Sequence, residues 1–497
     1  MVAFLLMFGA GQTHAQKTAK VKLIRSDELL MDDHFNKDIQ RLIGNVVMKH
    51  DSTYFYCDSA WLNRKANNFR AFSKVHIVPS DTLEIFSDSL NYDGATRIAD
   101  LYGNVKLIEN RATLTTSHLT YDRNTRIAYY YSGAVIVSDT NVLTSRIGHY
   151  YTESKEVYFR DKVVLTNPDY IMNSDTLKYN TVSKIAWFFG PTNIIGEEDS
   201  IYCEDGWYDT EYDISRMKRN VFVQNNEQMI WADTIFYRRF PRYGLAETNV
   251  TLYDTEQDIY VKGNFAEYDD ELHYAYVTDS ALAIMPEEND TLYVHADTMW
   301  MLSDDEGKAE LMKAYFKVKY FRNNLQGMCD SLVYHFPDSS ILMYNGPVLW
   351  SQENQLTSDS VRIVIANNEV DTMVLYGSCF IISEDDSIRA NYNQVKGLTM
   401  IGYFKDNDLV KIRVTGNSET LYFLREEDKS LIGIQKAVSN RMMIYLDSNQ
   451  IRGLTYIDKP DGAIHTIGEL SGEDLILRDF KWIDDRRPMK KEDIFVW

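Results

Sequence analysis

Six aspartates recur in one local setting, and any chemistry this chain performs would be sought there first. Asp88, Asp175, Asp233, Asp297, Asp330 and Asp359 each stand before Ser or Thr and an apolar residue, in most copies with an aromatic just beyond, as in Asp88-Ser89-Leu90-Asn91-Tyr92. Such carboxylates could bind calcium or act as acids. Acids that do chemistry come as one poised pair, however, and not once per repeat. An Asp beside Ser or Thr at a strand end more commonly bonds local backbone, and these are expected to be turn or strand-end carboxylates. His118, His149, His273 and His295 show no metal-ligand spacing and read as structural. Cys57, Cys203, Cys329 and Cys379 are far apart, without a CxxC pair, and are expected to be buried singly. An oxidising compartment would permit a long-range disulfide, which sequence cannot place. The chain contains no Gly-x-Ser-x-Gly, phosphate loop or HExxH. No catalytic residue, metal or cofactor is expected, and the chain reads as a non-enzyme. A polysaccharide-degrading β-helix would need a localised acidic cleft, which this regular pattern does not offer.

The elements that carry these aspartates repeat about every 30 residues. Each motif follows a Gly/Asn turn and an alternating apolar run, such as Gly44-Asn45-Val46-Val47-Met48 and Gly103-Asn104-Val105-Lys106-Leu107. Glycine and asparagine tolerate positive φ, and period-two alternation gives a strand one apolar face. Val46, Met48, Val105, Leu107, Val135, Val137, Val163, Leu165, Val221, Val223, Val250 and Leu252 are therefore expected to face an interior, as core or as the lining of a groove. Strands repeated in this way bury their apolar faces by stacking on their neighbours, which predicts one elongated, all-β domain.

The composition agrees: 34 Tyr and 22 Phe against 9 Pro suit long paired strands. A formal charge of −21 argues against nucleic acid as a partner. It also repels bare phosphate, so a phosphorylated lipid would be held by its apolar part, with scattered Lys and Arg screening the head group. Residues 1–15, apolar and ending Thr13-His14-Ala15, read as a secretory signal. No later stretch reaches the length of a membrane-spanning helix, and an exported, soluble protein is expected. Residues 16–399 form the repeat array. Residues 400–497 read as a C-terminal β module ending in a loosely held polar tail, Asp484-Asp485-Arg486-Arg487-Pro488.

Gly-Asn-Val, an alternating strand, a polar turn and then Asp/Ser-x-Leu-x-Tyr-Asp, recurring behind a leader, resembles the OstA-like (organic solvent tolerance) family of periplasmic lipopolysaccharide-transport proteins. The likeness runs from Leu23 to Lys396, and the remainder looks like the C-terminal region of the large OstA-like proteins of Bacteroidetes-type bacteria. The resemblance implies an open β-jellyroll, two antiparallel sheets folded like a V. It further implies a periplasmic groove that carries the acyl chains of lipopolysaccharide toward the outer membrane. Partners would be other jellyroll components of that transport system at both membranes, or further copies joined end to end. A structural or adhesive β-solenoid of the envelope, with a dry, filled interior, is the second reading of the same residues.

Overall fold

The computed structural model describes residues 19–31, 37–197, 199–286, 290–306, 308–367, 369–385, 391–405, 408–426, 428, 430–447 and 450–497. The expected signal segment, 1–15, lies outside them. The described residues form 34 strands and three short 3-10 turns, with no α-helix. They divide into two compact units, one ending at Asp213 and the other beginning at Ile214. The division expected after residue 399 falls inside the strand Tyr392–Lys405, which pairs with both its neighbours.

In each unit, strands of about the same length follow one another as an antiparallel meander. Ile39–His50, Thr53–Asn63, Asn68–Ser80 and Leu83–Asp93 pair in sequence order. Every long strand breaks register at its middle. Ile43 pairs Ser59 and Val46 pairs Cys57, so the two residues Gly44 and Asn45 oppose one, a bulge that bends the strand. Gly44 and Asn45 have φ of 76° and 43°, and such left-handed doublets recur at Ser73-Lys74, Gly103-Asn104, Asp161-Lys162, Arg219-Asn220 and Thr248-Asn249. The Gly-Asn doublets and their equivalents, read in the sequence as turns ahead of strands, thus mark bends within continuous strands, because two positive φ values in succession make a bulge there and not a chain reversal.

The bends line up into a crease that divides each sheet into two walls. Phe55, paired with Met48 on one side of the crease, packs against Phe69, paired with Leu62 on the other, with ring centroids 5.2 Å apart. Tyr92 meets Phe55 at 4.7 Å from that second wall. The two walls therefore face one another as an open β-jellyroll of about 30-residue repeats.

The repeated aspartates serve the crease. Asn45 donates to Asp27 at 2.7 Å, Asn104 to Asp88 at 2.8 Å, Asn249 to Asp233 at 2.8 Å and Asn345 to Asp330 at 3.1 Å. Where lysine takes the second bulge position, Asp297 pairs with Lys317 at 3.2 Å. These Asp residues fasten their own strands to the bulge of the next, a partner one strand away and not the local backbone, whereas Asp175 accepts from its neighbour Thr176 at 3.3 Å. At Gly263-Asn264 the roles swap: Asn264 donates to Asp279, which lies in a left-handed doublet of the following strand.

The C-terminal tail is firmly seated. Beyond the strand Asp461–His465 it crosses the outer face of one wall of the second unit. Leu477 is buried with Phe380, Ile382, Leu421 and Phe423, and Ile483 packs on Met328, Val348 and Trp350. Buried amides clasp its backbone. Gln394 donates to the Leu475 carbonyl and accepts from the Leu477 N–H, at 2.9 and 2.8 Å. Gln355 repeats the pattern at Lys481 and Ile483, with both distances 2.8 Å. Lys319 donates to the carbonyls of Arg486 and Val496. Asp484–Pro488, expected to hang loose, lies within this strap because the outer wall there carries Gln and Trp where solvent-facing residues would otherwise stand.

Candidate functional site

The first unit encloses the site. Leu107, Leu114, Ile136, Leu143 and Leu165 from one wall meet Tyr150, Val157, Phe159, Leu177 and Ala186 from the other around a cavity of about 400 Å³. The cavity reaches the mouth of the V, where the turn residues Asn110, Arg111 and Asp139 stand opposite Thr181, Val182 and Lys184. Its body is apolar because these strands alternate, and its room comes from aliphatic side chains. Nearer the N-terminus, Phe55, Phe69 and Tyr92 fill the same interior.

Charged pairs span the mouth. Glu109, 5% exposed and lining the cavity, is ion-paired with Lys155 of the opposite lip. Asp51 lies 3.2 Å from Arg97 and 3.7 Å from Arg123. Beneath Arg123 sits buried His50, whose Nε2 donates to the Ala19 carbonyl while Nδ1 faces the Tyr92 hydroxyl at 2.6 Å. Burial, opposed by Asp51 but assisted by Arg123 and Arg97, holds the His50 imidazole below its usual pKa.

Of the expected inward residues, Val46, Met48, Val105, Leu107, Val163, Leu165, Val221 and Val250 are buried, and Val223 and Leu252 are half-buried. Only Leu107 and Leu165 of the set line the cavity. Val135 and Val137 point the other way, 40% and 43% exposed. Their repeat lacks the left-handed doublet: the strand is cut into Ile127–Tyr130 and Ala134–Ser138, and Gly133 stands alone in the position Asn45 holds elsewhere. Ala134 therefore takes the place of Val46, and Ile136 faces inward. One residue of slip exchanges the faces of a strand.

In the second unit the inward set is only partly covered at its start. Val223, Ile230, Leu252 and Val261 are successive cross-strand partners, all half-exposed, and Tyr268 on the facing wall is 40% exposed. Ala246 and Ala266 keep the floor shallow.

The other candidate groups are structural. The four cysteines are free and buried, and burial pushes their thiols up to about 12. His118 stacks on Tyr102 at 4.5 Å, and His295 lies buried against Phe495 of the tail. Among the described residues no cluster of three His, Cys, Asp or Glu could hold a metal ion. No described helix is long and apolar enough to cross a membrane.

No curated protein matches the chain. Among solved structures, the Pseudomonas aeruginosa protein LptH is described as the LptA-homologous periplasmic component of the conserved lipopolysaccharide transport device. It is 16% identical, over 21% of this chain and 79% of its own, with a TM-score of 0.20, too slight a likeness to carry weight. Residues 18–175, which contain the filled end of the interior and most of the cavity's strands, match the family model of the OstA-like proteins.

Proposed function

We propose that the protein binds lipopolysaccharide in the periplasm by its acyl chains and passes it toward the outer membrane, as a carrier and not as an enzyme. The observation that supports this reading is the cavity of about 400 Å³ walled by ten apolar side chains and open toward the lips of the V. A methylene is close in size to water, whose share of liquid volume is about 30 Å³, so such a space takes roughly a dozen methylenes. At about 0.8 kcal/mol each, their transfer could supply on the order of 10 kcal/mol before the costs of ordering are subtracted. Few polar contacts are then needed, and the half-exposed Val223, Ile230, Leu252 and Val261 offer further apolar surface of the same kind. Partners on this reading are jellyroll components at the inner and outer membranes, or further copies joined end to end.

A photoactivatable residue at Leu107, Leu165 or Leu252 tests it. Adducts with lipopolysaccharide in cells are the expected result, and depletion of the protein should strand lipopolysaccharide at the inner membrane. The packed rings of Phe55, Phe69 and Tyr92 favour the second reading, a scaffold with a filled interior. That reading gives no adduct at any of the three positions in a well-expressed protein.

A further inference from the structure

One lip of the first unit carries a basic row. Arg97, Arg126, Lys155 and Lys184 are 29 residues apart in each step and occupy the same place in four successive turns, with φ of 60°, 56°, 60° and 60°. A left-handed turn position favours Gly or Asn, so four long basic side chains there are not what backbone preference alone selects. The turns are fastened into register. The carbonyls of Arg97, Arg126, Lys155 and Lys184 accept from the N–H of Arg123, Thr152, Thr181 and Thr210, at 3.0 to 3.1 Å. Successive turns lie two strands apart, about 10 Å. Lys184 lines the cavity, and Lys155 is ion-paired with the cavity's own Glu109. Arg97 and Arg126 likewise rest on acids, Asp51 at 3.2 Å and Glu153 at 3.3 Å. All this stands in a chain whose formal charge is −21.

We propose that Arg97, Arg126, Lys155 and Lys184 form a phosphate-binding rail along the mouth of the cavity, taking the phosphate groups of a lipid whose acyl chains lie between the walls. The proposal rests on the acyl-binding reading above and adds the head-group chemistry to it. With no lipid bound, Asp51, Glu109 and Glu153 neutralise the rail, and the pairs Arg97–Asp51 and Lys155–Glu109 tie the two lips together. A bound phosphate replaces the carboxylates as the partner of the cations and so releases the lips. The regular step gives the same phosphate a succession of equivalent seats, which a carrier that moves its cargo requires.

The test uses the full chain and two lipopolysaccharide samples alike in their acyl chains, one with and one without the lipid A phosphates. Wild type should bind the phosphorylated sample roughly tenfold more tightly, the scale of one charge-assisted contact. Added salt should narrow the gap. Arg126→Gln, at a position that neither lines the cavity nor leaves a buried acid unpaired, should lower the ratio severalfold while affinity for the dephosphorylated sample stays unchanged. Lys155→Gln combined with Glu109→Gln tests the latch in the same assay. Inorganic phosphate at millimolar concentration should not displace the lipid; if it does, the rail is a free-phosphate site and the proposal fails. Equal binding of both samples by wild type, or a ratio unchanged in the variants, also overturns it. If neither sample binds wild type, it is the acyl-binding reading that fails.

Discussion

Ile136 and Val135 are neighbours on one short strand with opposite fates, and exchanging each for phenylalanine tests the register and the cavity together. Ile136 lies between its cross-strand partners Leu114 and Leu143, all three lining the cavity. Val135 is 40% exposed on the other face. Phenylalanine adds about three heavy atoms to isoleucine and thus displaces about three methylenes of a bound chain, a loss of roughly 2.4 kcal/mol at about 0.8 kcal/mol each. At about 1.4 kcal/mol per tenfold, Ile136→Phe should weaken binding roughly fifty-fold. Val135→Phe should leave it within about twofold, since a surface change away from the cavity alters little. The assay is titration with a fluorescent acyl probe, alongside thermal unfolding to confirm that both variants fold. An equal loss in the two variants, or none in Ile136→Phe, would refute both the inward assignment of Ile136 and the cavity as the binding space.

Three further outcomes follow from the geometry. Gly103→Ala should cost about 2 kcal/mol or more, since a left-handed φ alone costs an L-residue about 1–2 kcal/mol and the new Cβ would lie 2.5 Å from the Asp88 carboxylate; a melting temperature equal to wild type would show that the crease tolerates a side chain. His50 has a folded pKa below its unfolded value near 6.5, so its contribution to stability is complete above that pH and is lost as pH falls through 6.5 toward the folded value. The drop in stability from pH 7.5 to 5.5 should therefore be smaller in His50→Gln, and identical drops would remove His50 from the account. Gln355→Ala with Gln394→Ala removes both backbone clasps of the tail and leaves partners unsatisfied, at a cost of about 1–3 kcal/mol for each such group. Hydrogen exchange at Leu477 and Ile483 should then accelerate at least tenfold while the strands beneath stay protected, and unchanged exchange would mean that apolar packing alone holds the strap.

Much of the fold was legible because one local pattern repeats. The Gly-Asn doublets, the alternating runs after them and the Asp-Ser/Thr motif each have one physical role, and repetition separates that role from noise. Facing is not legible where a repeat departs from the rule. At Gly133 the run Val135-Ile136-Val137 carries three apolar residues in succession, so alternation cannot say which two face outward. The missing Asn after the glycine was the available signal. The seating of the tail is not legible in its charged residues, because the residues that hold it, Gln355, Gln394 and Gln326, which accepts from Arg487 at 2.9 Å, look like ordinary surface glutamines until both faces of their strands prove buried. The basic lip is legible only as a shared period of Arg97, Arg126, Lys155 and Lys184, because these residues stand in turns, outside the alternating runs that mark the strands.

What varies along the interior is side-chain volume, and this decides where cargo could lie. The backbone scheme is common to every repeat, so wall spacing alone cannot make one stretch solid and another hollow. Near the N-terminus the inward positions carry Phe55, Phe69 and Tyr92, which close the gap ring to ring. From the strand Ile98–Glu109 onward the same wall offers Leu107, Leu114, Ile136, Leu143 and Leu165, and the space between the walls opens into the cavity. If occupancy follows volume, opening the filled end should extend the space available to a chain. Phe55→Ala would cost about 3–5 kcal/mol of stability as a large-to-small core change. Part of that cost should be recovered on adding an acyl chain that can occupy the void, through preferential binding to the folded state. A melting temperature that stays equally low with and without the lipid would show that the filled end is core and nothing else.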